Sequence, residues 1–264
     1  MIKLMSFNNI CLYNITHLNT YSLKDKMVIT QEIEYRSDGK LLKGFYAHPE
    51  RGTHLPTIII APTWAGRDNF VCDKAIALAK KGYLAFAIDL YGDAKVGQSK
   101  DENAALMNSL LEDKYALMTR LRATFSVVSK IHRVDKSNIA AIGFCFGGRC
   151  VLDMARSNME LKAVISFHGL LESNIVKEQN IDSKILVLHG YNDPMVSPER
   201  VNAFQQEMET RKADWQLHNF GNTFHAFTNP NANDRGFGTV YNKLSDQRSW
   251  KLALDFLRES FVNG

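Results

Sequence analysis

Cys145 sits in AAIGFCFGGRC between Gly143 and Gly147, where an apolar strand-like run gives way to a helix-like one. A thiol held on a tight strand-to-helix turn stands above its sheet as a nucleophile, and the G-x-C-x-G spacing is that of a nucleophile elbow with sulfur in place of oxygen. Such a turn strains the nucleophile's backbone and leaves no room for neighbouring Cβ atoms, which accounts for Gly143, Gly147 and Gly148. The helix that follows contributes unpaired N–H groups and the positive end of its macrodipole, both of which favour a thiolate and an oxyanion formed beside it. For the hexapeptide alone, a structural cysteine among close-packed glycines is the plainer alternative.

A nucleophilic thiol needs a base and a group that orients the base. Asp193, in LVLHGYNDPMV, directly follows the apolar run KILVLHG, and Pro194 after it favours a loop. His225, in FGNTFHAF, follows WQLHNF and precedes the last helix-like run. Cysteine, aspartate and histidine therefore come in an order, and at strand ends, that let three loops meet at the carboxyl edge of a parallel sheet. A solvated turn is the plain alternative for Asp193 and a satisfied core imidazole for His225, yet the three positions agree on a Cys-His-Asp triad. His168 in ISFHG and His189 in VLHG also end strands and are read as loop-bonding neighbours. Cys150, Cys11 and Cys72 are read as small buried residues.

The elements needed to position this triad can be read along the chain. VITQEIEYRSDGKLLKGFYAHP predicts a hairpin turning at SDGK, and LPTIIIAPTW a fully buried strand. FVCDKAIALAKK predicts a helix capped by Gly82, followed by the strand YLAFAIDLYG, a polar loop and a long helix over about 101–131. NIAAIGF, AVISFHG, KILVLHG and WQLHNF predict further strands, with helices at RCVLDMARS, SPERVNAFQQEMETR and SDQRSWKLALDFLRESF. Alternation of this kind predicts an α/β fold with a mostly parallel central sheet flanked by helices. No repeat or linker divides it, so residues 27–264 are expected to form one domain, preceded by a poorly specified extension over 1–26.

Composition narrows the setting. The 264 residues are 45% hydrophobic and 23% charged, a globular balance. The formal charge of +4 comes without a run of basic residues, so no nucleic-acid partner is expected. No stretch of 18 or more apolar residues occurs, so no membrane span is expected. Four cysteines without CxxC spacing fit a reducing compartment, the cytoplasm. No zinc-ligand grouping and no phosphate-binding loop is present, so neither metal nor cofactor is expected. GRDNF reads as an Asp or Asn helix cap rather than a phosphate site.

GFCFGG, HGYNDPMV and FHAF resemble the dienelactone hydrolase family (carboxymethylenebutenolidase-like) of the α/β-hydrolases, and the resemblance spans roughly residues 28–262. It implies the compact form of that fold without a large lid domain, and places Cys145, Asp193 and His225 on the family's triad. It also implies an oxyanion hole made of the backbone N–H groups of Phe146 and Trp64. The Trp64 side chain is read as core packing. Two departures stand out. Thr63 replaces a glutamate that helps form the thiolate when substrate binds, so His225 must activate Cys145 directly. The arginines that hold a substrate carboxylate are also missing, with Lys95 and Arg235 only nearby and read as surface charges. The expected activity is hydrolysis of a small-molecule ester or lactone through a thioester acyl-enzyme. The alternatives are a thioester or peptide hydrolase, or a catalytically silent binding relative.

Overall fold

The computed structural model describes residues 16–21, 27–173, 175 and 179–262. Val28–Ser37 (β2) and Lys40–Pro49 (β3) form the expected hairpin. Ser37 pairs with Lys40 across Asp38 and Gly39, whose φ values of 48° and 76° supply the left-handed pair that a two-residue turn requires. From the segment read as an unspecified extension, Thr16–Tyr21 (β1) adds an antiparallel edge strand to β2; Cys11 lies outside the described residues.

β3 pairs antiparallel with Leu84–Ala87 (β5), and from β5 onward the sheet is parallel. It continues through Leu55–Ala61 (β4), Val134–Phe144 (β6), Ala163–Phe167 (β7), Lys184–Gly190 (β8) and Trp215–Phe220 (β9). The result is a nine-stranded sheet in the order β1-β2-β3-β5-β4-β6-β7-β8-β9. The parallel strands β4, β7 and β8 are apolar runs because helices cover both faces. Alternation sorts their side chains: Ile58 and Ile60 pack with Asn69–Lys80 (α1) and Lys243–Val262 (α6), while Ile59 faces the opposite core. That second core holds residues of Lys100–Glu112 (α2), Lys114–Val128 (α3), Phe146–Arg156 (α4) and Pro198–Thr210 (α5).

Three local details depart from the sequence expectation. The long helix breaks at Asp113, which ends α2 and caps α3 by accepting from Ala116 N at 2.9 Å. The strand YLAFAIDLYG stops at Ala87. Beyond it the buried Asp89 carboxylate gathers the amides of Lys43, Tyr91, Gly92 and Ala94, and so turns the chain into a fixed loop. A short ribbon of Asn233–Asp234 (β10) and Thr239–Val240 (β11) follows β9; two-residue strands leave no periodicity to read. Asp68 caps α1 through Val71 N, as expected for GRDNF.

Candidate active site

The chain passes from β6 to α4 through Cys145 alone, with φ 55° and ψ −118°. A left-handed φ at a non-glycine residue costs about 1–3 kcal/mol and persists only where its surroundings enforce it. Here Cys145 N donates to Phe167 O at 3.0 Å and Gly148 N to Cys145 O at 2.9 Å. The glycines are required by contact. A Cβ on Gly143 would lie 2.0 Å from Gly147 O, one on Gly147 2.3 Å from Ala61 O, and one on Gly148 2.6 Å from Gly169 Cα. The elbow is thus pressed against the ends of β4 and β7, and the half-buried thiol projects into a cavity.

Asp193 lies on the loop after β8, turned back by its N–H bond to Gly190 O at 3.0 Å. Its Oδ1 accepts from Met195 N at 2.8 Å and its Oδ2 from His225 Nδ1 at 2.6 Å. His225 follows β9 and is pinned by the ribbon: its N–H donates to Gly238 O and its carbonyl accepts from Val240 N, each at 3.0 Å. Both side chains are buried. His225 Nε2 has no partner of good hydrogen-bond geometry among the described residues, and Cys145 is the group that acts on it most strongly by charge. Burial opposes a charged imidazole, but the Cys145 thiolate and then the Asp193 bond outweigh it and push the His225 pKa up to about 10.

The cavity beside Cys145 has a volume of about 400 Å³, and its walls include Trp64, Met107, Leu170, Met195 and Phe237. Trp64 packs against the core as its side chain was read, and it is a cavity wall as well. Its ring stacks on Phe237 with centroids 5.6 Å apart. Its carbonyl accepts from the Tyr91 hydroxyl at 2.8 Å, which fixes the loop after β4. Among the described residues neither Trp64 N–H nor Phe146 N–H has an acceptor; the latter opens α4, where no intrahelical acceptor exists.

The other candidates are not among the residues that line the cavity. Thr63 Oγ1 accepts from Ala65 N at 3.3 Å within a turn. Lys95 pairs with Glu102 at 3.0 Å, and the Arg235 guanidinium lies over the Phe224 ring. His168 Nε2 bonds Thr228 Oγ1 at 2.8 Å while its ring meets His225 edge-on at 5.1 Å. Burial, then the His225 charge, holds its pKa well below the ordinary imidazole value. Burial likewise lowers His189. Cys150 is buried as read, whereas Cys72 is only partly so, with Arg67 Nη1 at 3.9 Å from its sulfur. Met107, Leu170, Met195 and Phe237 were not legible as site residues, since apolar side chains on a helix and three loops carry no spacing signal.

Residues 42–261 match the dienelactone hydrolase family. The chain belongs to that family. Two solved structures resemble this family member over 89% of its length and 99% of theirs. One, called m3DLH, is 32% identical with a TM-score of 0.85. The other, a dienelactone hydrolase-like promiscuous phosphotriesterase from metagenomic libraries, is 30% identical with a TM-score of 0.85. An uncharacterized protein of Caenorhabditis elegans is 40% identical over 150 residues, 55% of this chain and 95% of that protein. This dienelactone hydrolase family member is a carboxylic ester hydrolase with the mostly parallel α/β architecture and, among the described residues, no large lid. No helix among the described residues is long and apolar enough to cross a membrane.

Proposed function

We propose that the protein hydrolyses a small-molecule carboxylic ester or lactone with Cys145 as nucleophile, His225 as base and acid, and Asp193 as the group that orients it. The observation that carries this reading is the buried His225, bonded to Asp193 through Nδ1 at 2.6 Å and leaving Nε2 to the Cys145 sulfur. In the first step the sulfur bonds to the acyl carbon and the carbonyl electrons move to oxygen, where the Phe146 and Trp64 amides receive them. The C–O bond then breaks, and His225 Nε2 gives its proton to the departing alkoxide. A thioester remains. In the second step water gives a proton to His225 and its hydroxide to the acyl carbon, and the thiolate leaves.

The turn-bound Thr63 hydroxyl supports an activation that needs no substrate trigger, with the Asp193-bonded His225 taking the thiol proton directly. Thiolates react poorly with unactivated amides, so esters, lactones and thioesters are better substrates than peptides. Free Cys72, Cys145 and Cys150 suit a reducing compartment, and we place the protein in the cytoplasm. The test is hydrolysis of p-nitrophenyl esters and small lactones by wild type, Cys145→Ala and His225→Ala. Turnover by wild type, with at least about 1,000-fold loss in each variant, is expected. Undiminished turnover in Cys145→Ala would remove the nucleophile from this account, and an inert wild type would favour a silent binding relative.

A further inference from the structure

The triad carries a net negative charge wherever the proton shared by Cys145 and His225 sits, because the Asp193 carboxylate is bonded to the other imidazole nitrogen. Beyond the triad, the cavity walls are apolar side chains with Thr239, and they carry no cation. The basic side chains of the neighbouring segments are committed elsewhere. Lys95 pairs with Glu102, Lys100 with Asp234, and Arg200 with Glu172. Arg120 donates to Leu90 O, Arg149 faces the buried Asp153, and Arg235 lies over Phe224. An anionic substrate group would therefore lose its hydration and meet a like charge with no cation in the cavity wall, the Lys100 ammonium over the Phe237 ring being held by Asp234.

The walls suit the opposite kind of group. Phe237, a cavity-wall residue that is 38% exposed, is held flat against Trp64 at an interplanar angle of 19°. Met107 and Met195, also in the cavity wall, supply flexible, polarizable surface that adapts to apolar groups of different outline. We propose that the site selects an uncharged, apolar acyl group, a medium-length alkyl chain or an aryl ring, and rejects substrates that carry a carboxylate on that group. This rests on the hydrolase reading above for the chemistry, but not for the binding preference.

The test compares p-nitrophenyl hexanoate with mono-p-nitrophenyl adipate, which replaces the terminal methyl by a carboxylate on the same chain. Wild type is assayed for turnover. Cys145→Ala, which cannot form the thioester, is titrated with each ester through tryptophan fluorescence, with Cys145→Ala/Trp64→Phe as the control for the cavity signal. The expected result is a kcat/KM at least about 100-fold higher for hexanoate, and saturable binding of hexanoate at concentrations where the adipate monoester gives no cavity signal. Similar kcat/KM values, or similar binding of the two esters, overturn the proposal. Selective binding of hexanoate with no turnover of either ester by wild type upholds the selectivity and overturns the hydrolase reading.

Discussion

The proton on His225 Nε2 is kept by its neighbours, against the cost of burying a charged ring. Since the folded value of about 10 lies above the ordinary imidazole value of 6.5, the folded protein binds this proton more tightly than the unfolded chain. The associated stability is fully present below pH 6.5 and is lost as pH rises through about 10. In the proposed mechanism activity follows the same proton, so kcat/KM is expected to fall on the alkaline side near pH 10. Asp193→Asn, which removes the bonded carboxylate, should move that limb to lower pH and reduce kcat by about 10⁴. A pH profile of both proteins checks this; an unmoved limb would mean that another group titrates. These residues were legible because each carries its chemistry in its type and sits at a strand end. The place of the Trp64 ring in the cavity wall was not legible, because an indole beside a buried strand is as ordinary in a core as in a cavity wall.

At the scale of elements, the elbow depends on helix α4 packing against β4 and β7 with nothing between them. Gly147→Ala would place a methyl carbon 2.3 Å from Ala61 O, a backbone atom that cannot swing away. The expected loss is about 1–3 kcal/mol in urea unfolding, together with a larger loss of activity than stability alone explains, because the loop after β4 carries the Trp64 amide proposed for the oxyanion. Wild-type stability in this variant would show that the elbow can open. The glycines announced this packing in the sequence, and the parallel strands were plain from their apolar runs. The ribbon of β10 and β11, which pins His225 and presents Phe237, was not legible, since two-residue strands have no period. The break at Asp113 was hidden for a different reason: apolar spacing runs on through it, and a single capping carboxylate decides the boundary.

Across the whole molecule, the parallel strands point their carboxyl ends at one rim, where the loops after β4, β6, β8 and β9 meet. The far end of α4 is fastened by a buried ionic cluster. Arg156, 1% exposed, donates to Glu207 on α5 at 2.7 and 2.9 Å, to Asp153 at 3.1 Å and to Leu171 O at 2.7 Å. Arg156→Ala leaves the buried Asp153 with Arg149 at 3.7 Å and the Ser173 hydroxyl, and should cost about 3–5 kcal/mol in denaturant unfolding; an unchanged midpoint would mark the cluster as neutral. Nothing in RCVLDMARS distinguished this arginine from a solvated one, because burial of a charge depends on partners distant in sequence. The reaction itself is tested most directly by the covalent intermediate. Protein quenched in acid during turnover of p-nitrophenyl hexanoate should gain the mass of one hexanoyl group, located on the peptide that holds Cys145 and absent from Cys145→Ala. Turnover that persists in Cys145→Ala, or an acyl group found on another residue, would contradict the account.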